Sequence, residues 1–301
     1  MSADPLALAF WTYESVRAEC DGEYRRYSDD LDEHYRAYFA ARPEERGLHP
    51  RQASDIERAL PPGFDHLADQ MPESVRHIHH LSGRSSQVLA LSVLGASAAL
   101  DFSHDWLFRV LQPLPATDSP LEVPRFEYEL PPEALNEQLP RVTTIDYLVK
   151  TSKISLYLEA KRGEEGVGRC SCLPRAQAVS DCSAKVLNRP LYWEVAYELF
   201  DLPTREPGKP CPMSFAYQAI RSVAATRYLA DVRRPVFALI YDAENPYFGG
   251  AGKWPGWPAV LERTLSYQAT IDFRAVSWQA LLPELPLDDA TRNWIRTKHR
   301  F

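Results

Sequence analysis

A chain of 301 residues, 45% hydrophobic and 25% charged, can bury a sizeable core and has the composition of a soluble globular protein. No apolar run reaches the length a membrane span needs, and the opening MSADPLALAFW lacks the basic region and cleavage site of a secretory signal. The net charge of −7, from 34 Lys and Arg against 41 Asp and Glu, argues against indiscriminate coating of nucleic acid but leaves room for a local basic groove.

In chain order, residues 1–63 read as a helical N-terminal extension. Tyr24, Tyr27, Leu31, Tyr35 and Tyr38 recur at helical spacing, and Pro61-Pro62-Gly63 ends the segment. Residues 64–301 carry the more core-like pattern. Ser85 can cap a helix over residues 85–100 that is apolar on most sides, the mark of a helix buried against a sheet. A proline-rich loop follows (Pro113, Pro115, Pro120, Pro124), then the alternating strand RFEYEL at 125–130. VTTIDYLV and ISLYLEAK are two further strands, separated by residues 150–153. LYWEVAYELF reads as a short helix, SFAYQAIRSVAATRYLADV as an amphipathic helix and PVFALIYDAE as a buried strand. WPAVLERTLSYQ is another helix, IDFRAVSWQALL a last strand and DDATRNWIRTKH a terminal helix. This order predicts a mixed α/β sheet with helices on both faces.

The two central strands permit a register calculation. In a tight antiparallel hairpin centred between Ser152 and Lys153, Thr151 faces Ile154, and every further pair keeps the same sum. Asp146 then lies opposite Glu159, their Cβ atoms roughly 4.5–5.5 Å apart on one face. Like charges so close are destabilising unless neutralised, and Mg²⁺ prefers one or two carboxylates with water and phosphate oxygens. Lys161, two residues beyond Glu159, projects from the same face. Such a set suits phosphodiester hydrolysis: a metal would polarise the phosphate and acidify bound water, while the lysine orients water or meets charge on the phosphate. Glu127 and Glu129 on the neighbouring strand offer further carboxylates. The bland alternative is a solvated pair of surface charges, against which stands the strongly apolar strand that ends in Glu159.

Ile145-Asp146 on one strand and Glu159-Ala160-Lys161 on the next resemble the PD-(D/E)XK nuclease superfamily. RSSQVLALSVLGA, ahead of the sheet, resembles a restriction-endonuclease subgroup of it. The resemblance covers about residues 64–301. It implies a restriction-endonuclease-like fold in which a helix precedes three antiparallel strands, with a further helix and strands after them. It also implies an Mg²⁺- or Mn²⁺-dependent deoxyribonuclease in which Asp146 and Glu159 bind metal and Lys161 is catalytic. Gln218 resembles the glutamine at the start of the following helix, steadying the site or touching nucleic acid. Two positions depart from the pattern: Ile145 replaces the proline, and the first helix has no acid, so Gln87 or Glu127 would complete the shell.

Other signals are weaker. Five cysteines without regular spacing favour free thiols in a reducing, cytoplasmic setting over disulfides, and Cys170-x-Cys172 with Cys182 and Cys211 matches no standard ligand pattern. His77, His79 and His80 do not share one helix face, and Asp242 and Glu244 read as a turn into Asn245-Pro246. The expectation is therefore a DNA endonuclease, with a homodimer suited to duplex cleavage. The competing expectations are a nuclease-like fold turned binding or regulatory module, or an α/β interaction protein in which Asp146 and Glu159 lie on different faces.

Overall fold

The computed structural model describes residues 4–43, 59–70, 85–111, 114, 120–137, 142–170, 191–199, 213–266 and 271–301. One sheet of five strands runs in sequence order. Strand β1 (Arg125–Glu129) is antiparallel to β2 (Thr144–Lys150), and β2 to β3 (Ile154–Ala160). Strand β4 (Arg234–Tyr241) is parallel to β3, and β5 (Asp272–Ser277) is parallel to β4. Parallel neighbours need crossover connections; both crossovers pack on one face of the sheet, and helical segments before β1 and after β5 cover the other. All seven residues of the central β3 are accordingly buried. This is the mixed, helix-flanked sheet expected from the element order.

Two apolar layers sandwich the sheet. One face carries Leu148, Tyr157, Phe237 and Leu239 against Phe215, Ala219 and Val223, and against Val260 and Leu261. These come from α6 (Met213–Leu229) and α8 (Trp257–Leu265). The other carries Tyr147, Leu156, Leu158, Val236 and Ala238. Against it lies a continuous helical run made of α2 (Ser86–Ala90), a π turn (Leu91–Gly95) and α3 (Ala96–Leu100). Ser85 caps that run, its Oγ accepting from the Val88 N–H at 3.3 Å, as its position predicts. Short helix α4 (Asp105–Val110) precedes β1, and short helix α5 (Tyr192–Leu199) precedes α6.

Helix α1 (Tyr13–Ala41) starts with a reciprocal Thr12–Ser15 capping box and buries Val16, Cys20, Tyr27, Leu31, Tyr35 and Tyr38 along one stripe. That stripe grips the segment just after β3. Tyr24 Oη donates to the Gly163 carbonyl at 2.6 Å, and Tyr27 Oη lies within 3.0 Å of both the Arg162 carbonyl and the Asp242 carboxylate. Asn245 begins the turn expected after β4, capping α7 (Pro246–Gly249), and its Nδ2 ties residues 162 and 164 to the same place.

The strand expected over IDFRAVSWQALL stops at Ser277. The Ser277 Oγ accepts from the Ala280 N–H at 3.1 Å and starts α9 (Trp278–Leu281). A serine N-cap competes with strand pairing there, and the apolar pattern does not distinguish the two. Helix α10 (Asp289–His299) closes the fold. Cys20 is a buried free thiol. Cys172, Cys182, Cys211, His77, His79 and His80 lie outside the described residues. No helix among the described residues is long and apolar enough to cross a membrane.

Candidate active site

The β2–β3 ladder pairs Tyr147 with Leu158, Leu148 with Tyr157, Val149 with Leu156 and Lys150 with Ser155. This is the register calculated from the hairpin, and the next step sets Asp146 across from Glu159. The ladder ends there. Asp146 Oδ2 accepts the Ala160 N–H at 2.8 Å, so the carboxylate does the work of a missing backbone carbonyl.

The β1–β2 pairing is interrupted at the same level. Phe126 pairs with Tyr147 and Tyr128 with Ile145, but Glu127 and Asp146 between them are not a ladder pair. Glu127 has φ of 47°, an uncommon left-handed conformation for this residue type. Alternation reverses across the break: Phe126 and Tyr147 join one apolar layer, whereas Tyr128 and Ile145 sit against the other. Strain of this kind costs on the order of 1–3 kcal/mol and persists only where surrounding contacts impose it. Here it bends a carboxylate of the edge strand into the core.

Four sequence-picked side chains converge on Glu159. Lys161 Nζ donates to its Oε1 at 2.7 Å, Gln218 Nε2 donates to the same oxygen, and Asp146 is in hydrogen-bond contact with its carboxyl group. Glu127 feels the charges of Glu159 and Lys161 and is hydrogen-bonded to Gln87 of α2, the residue proposed to replace the missing acid. Ser222 is an addition that sequence reading missed: its Oγ donates to Glu159 Oε2 at 3.1 Å. Ser222 lies four residues after Gln218, one helical turn along the same face, which is the signal that could have found it.

Gln218 reaches the site because α6 is broken at Ala216 (φ −120°, ψ 17°). The break frees the N–H groups of residues 217–219, as at a helix start. The carbonyls of Gly168 and Val167 accept them at 3.0–3.2 Å. A Cβ on Gly168, whose φ is 83°, would lie 2.5 Å from the Gln218 Cβ. Glu164, also missed, pins the same loop: its carboxylate accepts from Ser86 Oγ and from the Arg162 N–H, each at 2.6 Å.

The three buried carboxyls are all pushed toward protonation. Burial raises Asp146 to about 6, with Lys161 opposing and Glu127 adding to the rise. Glu127 is raised to about 7 by burial, against the hydrogen bond from Gln87. Glu159 is raised to about 8 by burial and by Asp146, with Lys161 opposing. Burial alone would lower Lys161, but the charges of Glu159 and Asp146 outweigh it and hold the ammonium above its ordinary value.

Glu127, Asp146 and Lys161 open on a cleft of about 580 Å³, whose walls also carry Glu129 and Glu164 against Arg169 and Arg221, while Glu159 is buried beside Lys161 and Asp146. The carboxyls want more positive charge than Lys161 supplies, and oxygen donors of this kind suit Mg²⁺ or Mn²⁺. In charge and donor type the cluster of Asp146, Glu159 and Glu127 suits a divalent cation. As they now stand, however, no group of three or more His, Cys, Asp or Glu among the described residues is arranged to hold a metal ion.

A family model described as restriction endonuclease associating with ARP matches residues 15–297. The chain belongs to that family. The match takes in α1 as well as the sheet, and the restriction-endonuclease-like fold agrees with the strand order and helical layers above. Neither the curated proteins nor the solved structures gave a match. Membership of this restriction-endonuclease family makes the chain a nuclease-like protein whose cleft, at the ends of β2 and β3, is its candidate centre.

Proposed function

We propose that this restriction-endonuclease relative is a metal-dependent endonuclease that hydrolyses DNA phosphodiester bonds in the cleft at Asp146, Glu159 and Lys161. The observation that carries the reading is the pairing of two facing buried carboxyls with a lysine, of which Asp146 and Lys161 line one open cleft. Asp146 and Glu159 would hold Mg²⁺ or Mn²⁺, with Glu127 as a further ligand. When bound, the metal supplies Lewis-acid polarisation of the phosphate and lowers the pKa of a bound water.

The remaining roles belong to the chain. Lys161 is tied at both backbone ends, its N–H to the Ile240 carbonyl and its carbonyl to Trp278 Nε1. Its ammonium is therefore held beside Glu159, where it can orient water for attack and meet charge on the phosphate oxygens. Gln218 and Ser222 fix the Glu159 rotamer. Arg169 and Arg221 put positive charge at the cleft wall, where a phosphate backbone would run. Attack by water with departure of the 3′ oxygen leaves a 5′-phosphate. Cutting both strands of a duplex takes two such centres, which a homodimer would provide.

The test is cleavage of supercoiled plasmid DNA by wild type, Glu159→Ala and Lys161→Ala, each with Mg²⁺ and with EDTA. Nicking or linearisation by wild type in Mg²⁺ alone is expected. Equal activity in every sample removes the assignment. One observation favours a second reading, a nuclease-like binding module: the absence of a ready three-ligand group among the described residues. Tight DNA binding with no metal-dependent cutting would support that reading.

A further inference from the structure

A second cavity adjoins the cleft. It has a volume of about 230 Å³ and is walled by Tyr13 and Val16 of α1, Phe215 of α6, Tyr247 of α7 and Trp257 of α8. Glu164, Gly168, Arg169 and Gln218 line both cavities, so the loop after β3 is their common wall. Aromatic side chains drawn from four different helices are held in place by mutual contacts. Phe215 and Trp257 have ring centroids 5.5 Å apart, and the Arg169 guanidinium lies 3.9 Å from the centre of the Tyr13 ring. The loop crosses the indole at Gly166, where φ is 133° and a Cβ would come within 2.9 Å of Trp257 Nε1. That buried indole N–H has no acceptor among the described residues.

We propose that this cavity receives one unstacked nucleobase of the nucleic acid whose backbone lies in the cleft. The inference rests on the nuclease reading and deepens it. The volume falls below the roughly 300–1,000 Å³ of pockets that enclose drug-sized molecules, so it suits a single flat ring system. Tyr13, the half-buried ring of the set, offers a face for a base to stack on, backed by the buried Phe215, Tyr247 and Trp257, and such a face accepts any base because every base has a π face. The shared wall supplies the geometry: a base and the phosphates of its own nucleotide are covalently joined, so a pocket beside a phosphate-handling cleft is within reach of both. Arg169 stands where the two meet, with its charge beside the path from base to phosphate. Taking a base out of a paired duplex costs stacking and pairing energy. Single-stranded, mismatched or otherwise loosened DNA should therefore bind better than perfect duplex.

The experiment uses the full chain with Ca²⁺ in place of Mg²⁺ and short single-stranded DNA oligonucleotides carrying one 5-iodouracil. After irradiation, the crosslinked peptide is identified by mass spectrometry, while binding is followed by fluorescence anisotropy. Two variants outside the catalytic cleft serve as blocks: Val16→Phe fills the cavity, and Tyr13→Ala removes an aromatic wall from a half-buried position. Thermal unfolding checks that each has folded. The expected result is a crosslink to Tyr13, Phe215, Tyr247 or Trp257 in wild type. In Val16→Phe its yield and the DNA affinity should fall about ten-fold, within the range expected for losing one stacked base. A crosslink elsewhere, or one of unchanged yield in both folded variants, overturns the pocket. If the chain cuts DNA with Mg²⁺ yet shows no crosslink to these residues, the pocket fails and the nuclease reading stands. A pocket crosslink without cutting reverses that outcome, and no DNA binding at all removes both.

Discussion

Glu159→Gln should flatten the dependence of stability on pH. Burial and the adjacent Asp146 raise the Glu159 carboxyl from 4.5 to about 8 in the folded chain. The folded protein therefore holds this proton more tightly than the unfolded chain does. The stabilising effect of the protonated group is fully present below pH 4.5 and is lost as the pH rises through about 8. At about 1.4 kcal/mol per unit, the loss across that window is on the order of 3–5 kcal/mol in the absence of metal. Glutamine keeps an acceptor for Lys161 and cannot ionise, so Glu159→Gln should remove most of this slope. Urea unfolding of both proteins in EDTA, at pH 5 and at pH 8, measures it as a difference of differences. The buried His104 and His299, whose lowered pKa values give a slope of opposite sign, cancel in that comparison. Parallel pH profiles for wild type and Glu159→Gln would refute the claim that Glu159 is forced toward protonation by its neighbours.

At pH 5, where the Asp146 carboxyl is mostly protonated, Asp146→Ala should cost roughly 1–3 kcal/mol because it orphans the buried Ala160 N–H. Asp146→Asn keeps an acceptor and should cost less, while both lose cleavage; equal stability of the two in chemical unfolding would contradict the bond. Gly168→Ala drives a Cβ into Gln218 at a left-handed position, so it should lose roughly 1–3 kcal/mol and at least ten-fold in cleavage rate. Wild-type values in unfolding and plasmid assays would show that the loop does not set Gln218. Tyr147→Phe removes the partner of His104 Nε2, 2.6 Å away in the core. It should destabilise by roughly 1–3 kcal/mol while the cleavage rate per folded molecule stays unchanged, and a lost rate would tie this face of the sheet to the chemistry.

The sheet was legible because its strands are bounded by prolines and polar turns and because the 150–153 hairpin is short enough to fix the register by arithmetic. That register alone placed Asp146 against Glu159. What the sequence hid depends on irregular backbone. Nothing in RFEYEL says that Glu127 turns left-handed, reverses the alternation and meets Gln87. Nothing in SFAYQAIRSV says that Ala216 breaks the helix so that Gln218 can lean on the loop at Gly168. Helix α1, read as an extension, anchors through Tyr24 and Tyr27 to backbone 139 and 135 residues further along the chain, a long-range contact that periodicity does not carry.

Asp146 would hold the metal and Lys161 would use it, a division that electron paramagnetic resonance of Mn²⁺ can separate. Titrated into wild type, Asp146→Ala and Lys161→Ala at pH 8, Mn²⁺ should be bound by wild type and by Lys161→Ala but not by Asp146→Ala. The same binding curve for all three proteins, or no bound Mn²⁺ in wild type, would contradict the account.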